Sequence, residues 1–385
     1  MITSRLPKVG TTIFTVMSAL ATQCGAVNLG QGFPDFDCDP ALIDAVTRAM
    51  KDGFNQYPPM AGYPPLRQAI AAKIESLYGH RYDPDTEITI TAGATQAILT
   101  ATLALVHPGD EVIVIEPAYD SYVPAILLAG GKPVFVAMER TTLPDNGFHV
   151  PWDRVRAAVT SRTRMIFFNS PNNPTGIAFD ENDLRELESL VVGHGLYLLS
   201  DEVYEHMVFD GRRHESASRY PALAERSIVL SSFGKTFHVT GWKVGAVAAP
   251  AALTAELRKV HQFNVFTVNT PMQVAIAEYL GDASHYLGLA DFYQQKRDFF
   301  RAGLAGTRFD LLPSTGTFFQ VVDIRRICSD RSERQFCEWM TRDKGVAAIP
   351  MSAFYDHPAD ASLIRFCFAK KKETLARALD RLQSL

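Results

Sequence analysis

The stretch IVLSSFGKTFHVTGWKVG, residues 228–245, decides the fold. It opens on a continuous apolar run, Ile228–Leu230, and stops in the polar cluster Ser231-Ser232-Phe233-Gly234-Lys235. A strand that is apolar on both sides needs cover on both sides, as in a mainly parallel sheet between layers of helices. A second strand is expected at Val244–Ala248. Lys235 then falls at a buried strand end, where an ammonium group is costly unless it is used.

The same pattern repeats on either side. Glu87–Thr91, Val112–Ile115, Pro133–Met138, Met165–Phe168 and Leu196–Leu199 read as further short strands. From Gly93 to Val106 the apolar residues Ile98, Leu99, Leu103 and Leu105 recur at helical spacing, and His107-Pro108-Gly109-Asp110 stops that helix with turn residues. Asp180–Val192 reads as a helix capped by Asp180. After about residue 280 the pattern changes. A helix is expected over Ser284–Leu304, shorter strands at Thr317–Val322 and Leu363–Phe368, a helix over Glu333–Asp343 and a last one over Lys372–Leu385. The fold class expected is α/β. A three-layer αβα large domain with a mainly parallel sheet covers residues 40–280, and a smaller α+β domain covers 281–385 together with the N-terminal arm 1–39.

Composition narrows the function classes. The chain has 385 residues, 47% of them apolar, and a formal net charge of −4. No basic face or run of like charge favours nucleic acid. No apolar run approaches the ~18–20 residues of a membrane span, and the opening MITSRLPKVGTTIF has no signal-peptide core. A cytoplasmic protein is expected. The five cysteines are odd in number and lack metal-ligand spacing, so reduced thiols and no metal site are expected.

Four polar clusters follow four of the strands. They are Gly93-Ala94-Thr95, the run Asn169 to Gly176, Asp201-Glu202-Val203-Tyr204, and Ser231 to Lys235. In an open parallel sheet the ligand site lies outside the carboxyl ends of the strands, so all four are expected to face one crevice. Taken singly, each has an ordinary reading: a helix start, a turn in a Pro-rich loop, a helix N-cap, a packed tyrosine. Together they suit a phosphorylated pyridine aldehyde. Backbone N–H groups at Gly93 to Thr95 form an anion cup. Asp201 pairs with the pyridine nitrogen and makes the ring an electron sink. With such a ligand, Tyr204 could donate to the ring hydroxyl and Asn173 could bond the same group. Lys235 forms a Schiff base with the aldehyde once burial or a neighbouring cation lowers its pKa, and Lys243 is placed to be that cation and a second phosphate contact.

At SPNNPTG (170–176), SDEVYE (200–205) and SSFGKTFHVTGWKVG (231–245) the chain resembles the class I/II aminotransferases, enzymes of the aspartate-aminotransferase-like fold that use pyridoxal 5'-phosphate. The resemblance runs from NLGQGFPDF (28–36) through NQYPPMAGYPPLR (55–67) to IRFCFAK (364–370), nearly the whole chain. It implies Lys235, Asp201 and Tyr204 as catalytic residues. It implies Tyr119, in EPAYDSY, as the ring stacked on the cofactor, and Gly93, Ala94, Thr95, Ser232 and Lys243 as its phosphate cup. Many relatives carry arginine where Lys243 stands; lysine keeps the charge and loses the bidentate fork. Tyr57 matches a tyrosine that reaches the phosphate of a neighbouring subunit, so a homodimer with shared sites is implied. Arg365 matches the clamp on the substrate α-carboxylate, with Asn173 and the Gly32 backbone as further contacts.

Within the family the likeness is to methionine and kynurenine-type aminotransferases. Dicarboxylate-specific relatives place an arginine in the stretch aligned with HQFNVFTVNTPMQ (261–273), which here has none. Phe266 lies about where it would be, and with Phe14 implies an apolar side-chain pocket. Thr267 and Thr95 replace a histidine and an aromatic of some kynurenine-type relatives, which favours methionine as donor and a 2-oxo acid as acceptor. The alternative is a kynurenine–oxoglutarate-type enzyme with β-lyase action on cysteine conjugates. A ligand-sensing domain of this fold and a nicotinamide enzyme are disfavoured, the second because no G-x-G-x-x-G follows the first strand.

Overall fold

The computed structural model describes residues 2–141, 147–357 and 361–385. Its central sheet has seven strands. Across it they run Ile88–Thr91, Gly245–Ala248, Ser227–Ser232, Tyr197–Asp201, Thr163–Asn169, Glu111–Glu116 and Lys132–Ala137. Each expected strand is present within two residues at either end. Gly245–Ala248 pairs antiparallel with both neighbours, and the other pairings are parallel. The reason is local. Ser227–Ser232 returns to the sheet after only a one-turn helix, Phe233–Thr236, and a 3₁₀ turn, Thr240–Trp242. A parallel return is usually made by a helix that crosses the face of the sheet, and these two short turns supply none.

That reversal helps the site. Gly245 lies opposite Ser232 on one side and Thr91 on the other. The start of this strand therefore shares an edge with the ends of its neighbours, and Lys243 arrives there with Lys235. On the same edge Asn169 lies opposite Asp201. Val112 to Val114, Met165, Ile166, Leu198 and Leu199 are sealed from solvent, as runs covered on both faces should be. The helix Glu181–Gly193 follows with the expected Asp180 cap, and Asp183 completes a capping box.

A second, antiparallel sheet orders Asp310–Leu311, Phe319–Asp323, Leu363–Cys367 and Ile349–Pro350. Near it, Val27–Asn28 pairs in parallel with Val346–Ala347. Four boundaries differ from expectation. Strand formation waits until Phe319 because Thr317 turns left-handed at φ 63°. The helix expected over Ser284–Leu304 breaks at Gly288, a poor helix former, into Ser284–Leu287 and Leu289–Leu304. Glu333–Trp339 passes into a π turn, Met340–Lys344, that ends on left-handed Gly345. The last helix stops at Leu382. Among the described residues no helix is long and apolar enough to cross a membrane, and no group of three His, Cys, Asp or Glu is placed to hold a metal.

Candidate active site

A cavity of about 310 Å³ opens at the shared strand edge, between the two sheets. Thirteen of the expected residues line it: Phe14, Gly32, Gly93, Ala94, Thr95, Tyr119, Asn173, Asp201, Tyr204, Ser232, Lys235, Lys243 and Arg365. Tyr57 and Phe266 do not. They pack edge-on against each other at the surface, ring centroids 5.4 Å apart, with Tyr57 81% exposed.

Lys235 sits one turn beyond its strand rather than on it, and its side chain is half-buried along the cavity wall. Its Nζ donates to the Gly32 carbonyl at 2.8 Å. Burial pushes its amine down to about 8, with the cations Arg365 and Lys243 pushing the same way. About a tenth of it is then neutral at pH 7, and this form can accept a proton or attack a carbonyl.

Asp201 is buried at the end of its strand. Its Oδ2 accepts the Tyr122 hydroxyl at 2.6 Å. Burial raises its carboxyl to about 6, and the Tyr122 hydrogen bond opposes that rise. A buried carboxylate with so few donors has room for one more cationic N–H. Asn169 supports it from the neighbouring strand: its Nδ2 donates to the Asp201 carbonyl at 2.8 Å, and its Oδ1 accepts the Asn173 amide at 2.7 Å.

Gly93 opens the helix Gly93–Leu105 at φ +75°, and a Cβ there would lie 3.2 Å from Lys243 Nζ. The first N–H groups of a helix have no partner within it, so this end presents donors beside an ammonium group. Thr95 Oγ1 and Tyr119 Oη lie 3.3 Å apart across the opening. Tyr204 is buried, which raises its phenol, and its ring packs edge-on against Phe318 at 5.1 Å.

Arg365 comes from the second sheet and is 1% exposed. Its Nη1 donates to Asn173 Oδ1 at 2.6 Å and its Nη2 to the Gly30 carbonyl at 3.1 Å. Its Nε is buried without a partner. The guanidinium carbon lies 3.9 Å from the centre of the Phe319 ring, 5.0 Å from Phe354 and 5.4 Å from Phe14. Burial lowers it to about 10, so it stays charged near neutrality. The arrangement is a fork for an anion set among aromatic faces.

The profile of the aminotransferase class I and II family matches residues 25–382. The chain belongs to the class I and II aminotransferases. It is 48% identical over 383 residues to a methionine aminotransferase of Escherichia coli, covering 99% of this chain and 98% of that one. The crystal structure of YbdL from Escherichia coli, identified with a methionine aminotransferase function, superposes with a TM-score of 0.97 at 47% identity, covering 100% of both chains. The human kynurenine–oxoglutarate transaminase 1 is 36% identical, with 94% and 93% covered. The N-succinyldiaminopimelate aminotransferase of Mycobacterium tuberculosis superposes with a TM-score of 0.95 at 44% identity, covering 100% of both chains.

The cavity and the residues behind its wall include others that the motifs hold without singling out. Tyr122 is the last residue of EPAYDSY, three after Tyr119, and Asn169 directly precedes SPNNPTG. Gln31, Phe33, Thr240 and Phe319 also line the wall, with Val203, Gly234 and Val244. The position of Asn169 at a strand end was a signal for it. Tyr122 had none, since only the orientation of its helix aims it at Asp201.

Proposed function

We propose that this aminotransferase moves the amino group of an apolar amino acid, methionine favoured, to a 2-oxo acid with pyridoxal 5'-phosphate as cofactor. One observation carries the substrate class. Arg365 is the only arginine among the described residues lining the cavity, and it shares that wall with the aromatic side chains Phe14, Phe33, Tyr119, Tyr204 and Phe319. A substrate held there by its α-carboxylate meets aromatic surface and no second fork for a distal carboxylate. The likeness to the Escherichia coli methionine aminotransferase supports the same choice.

The donor set suits the cofactor. The helix start at Gly93 with Ala94, Thr95, Ser232 and Lys243 would hold its phosphate, and the open acceptor side of Asp201 its ring nitrogen. Tyr119 would lie along the ring, Tyr204 and Asn173 at its hydroxyl, and Lys235 Nζ at its aldehyde carbon. When bound, the cofactor supplies a ring that takes up the electron pair left at the substrate α-carbon.

The remaining work belongs to the chain. Arg365 and Asn173 hold the carboxylate, with the Gly32 backbone beside them, and so fix which α-bond faces Lys235. Lys235 Nζ takes the α-proton in its neutral form and returns it one position along. Burial raises the Asp201 carboxyl to about 6, so it is mostly ionised near neutrality, and the Tyr122 hydrogen bond favours that form. Tyr57 and Phe266, exposed and paired with each other, suit a homodimer in which each reaches the site of the partner subunit. We divide the chain into a large domain, 40–280, and a smaller one formed by 1–39 and 281–385, in keeping with the pairing of Val27–Asn28 with Val346–Ala347.

A half-reaction screen tests the reading. The holoenzyme is mixed with methionine, phenylalanine, kynurenine, N-succinyldiaminopimelate or aspartate, and the cofactor absorbance is followed. Methionine is expected to react with the highest kcat/KM. Aspartate reacting best, with methionine inert, would overturn the substrate assignment.

A further inference from the structure

Five successive carbonyls, Leu29 to Phe33, each accept a hydrogen bond, two of them from one ammonium group. Leu29 accepts the Cys367 amide at 2.7 Å and Gly30 accepts Arg365 Nη2 at 3.1 Å. Gly32 accepts Lys235 Nζ at 2.8 Å. Gln31 and Phe33 both accept Lys370 Nζ, at 3.4 and 2.7 Å. The turn therefore hangs from three cations, two of which have other work in the proposed cycle. Lys235 must turn from Gly32 when its amine nitrogen bonds to a carbonyl carbon, which leaves it fewer donors. Arg365 gains a carboxylate.

Lys370 has no such second duty. It is 4% exposed, and its ammonium also lies 5.2 Å from the centre of the Phe33 ring. Its own carbonyl accepts Lys296 Nζ at 2.9 Å. Just beyond it, Asp35 accepts the Lys371 amide and, at 2.6 Å, the Thr374 hydroxyl at the start of the helix Lys372–Leu382. The strand that carries Arg365, Leu363–Cys367, thus continues directly into the residues that hold the turn. Gly32 presses on Phe319 so closely that a Cβ would lie 3.0 Å from the ring, and Gln31, Gly32 and Phe33 all line the cavity.

We propose that Lys370 is a positioning residue, holding the Gln31–Phe33 turn over the substrate after Lys235 has let go of Gly32. It touches neither substrate nor cofactor and acts through the turn. The inference rests on the site being the aminotransferase site proposed above. Because the turn caps the substrate equally before and during reaction, its loss should appear in KM rather than kcat.

The test compares Lys370→Met with Lys370→Arg in the holoenzyme, with methionine as donor. Lys370→Met should raise KM about ten-fold or more while kcat changes by less than about three-fold. Cofactor affinity and the absorbance of the resting enzyme should stay as in the parent. Lys370→Arg, which keeps charge and donors, should recover most of the KM. Should the Met variant not fold, Lys370→Gln carries the same comparison. A KM like the parent's would overturn the role of Lys370, as would a joint loss of kcat and cofactor affinity at unchanged KM. Failure of the parent itself to turn over methionine would instead overturn the substrate assignment.

Discussion

Arg365 Nη1 donates to Asn173 Oδ1 at 2.6 Å, joining two segments 192 residues apart in sequence, while Arg365 Nε remains buried and unbonded. The fork is thus held in place before any substrate arrives. A preorganised guanidinium offers two parallel donors to a carboxylate, and a lysine offers a point charge. Arg365→Lys should raise KM for amino donors about 100-fold, with cofactor binding unchanged, because charge-assisted hydrogen bonds contribute about 1.5–3 kcal/mol each. Steady-state kinetics with methionine check this. A KM within about three-fold of the parent would remove Arg365 from substrate binding.

Among the described residues, Lys235 is the sole amine that both lines the cavity and bonds to the Leu29–Phe33 turn, through Gly32. Lys235→Ala should keep the phosphate cup and bind the cofactor, and its turnover should fall by about 10²–10⁴ or more, the span of general acid–base catalysis. A small added amine should restore part of the rate. Transamination at the parent rate would show that another group moves the proton.

Tyr122 opposes the effect of burial on Asp201 through the 2.6 Å hydrogen bond to Oδ2. That bond stabilises the carboxylate and holds down a pKa that burial has raised to about 6. Tyr122→Phe removes the donor, so the pKa should rise further. Cofactor binding that needs an ionised Asp201 should then fail at a higher pH than in the parent. Titrating cofactor affinity from pH 8 to pH 5 reads the shift. An acid limb that stays in place would mean that Asp201 is not the group titrating.

His238 gives stability a pH dependence of its own. It is left-handed at φ 59°, three residues beyond Lys235, and its ring packs among Phe36, Phe292 and Tyr293 with Nε2 unbonded. Burial lowers its pKa to about 4, and Lys296 adds to that. The folded pKa lies below the unfolded one, near 6.5, so the unfolded chain binds the extra proton between these values. Stability from this group is complete above pH 6.5 and is lost as pH falls toward 4, by about 2 kcal/mol between pH 7 and 5. His238→Asn keeps a residue tolerant of the left-handed backbone and removes the titration. Urea unfolding at the two pH values should show a flatter slope for the variant, and an equal slope would sink the idea.

Much of the site is legible as strand ends. Continuous apolar runs mark where Asp201, Asn173, Lys235 and Gly93 leave the sheet, and a parallel sheet puts those exits on one edge. The antiparallel entry of Gly245–Ala248 was not legible, because apolar content is the same for either direction. Arg365 was legible only through resemblance: it lies in the second sheet, and nothing in its spacing relates it to Asn173. Tyr122 and Lys370 stand inside readable motifs, EPAYDSY and IRFCFAK, yet their partners are set by helix rotation and by the path of the Leu29–Phe33 turn.

The sequence by itself determined the layered α/β architecture, the cluster of polar strand exits around Lys235, and the family. Those follow from local patterns of burial and from motifs that need no neighbour to be read. Tertiary structure alone decided the charge states of Lys235 and Asp201, the pairing of Arg365 with Asn173, and the surface position of Tyr57 and Phe266. Each of these depends on how far a group is withdrawn from water and on which distant chain segment arrives beside it, and a one-dimensional pattern carries neither quantity.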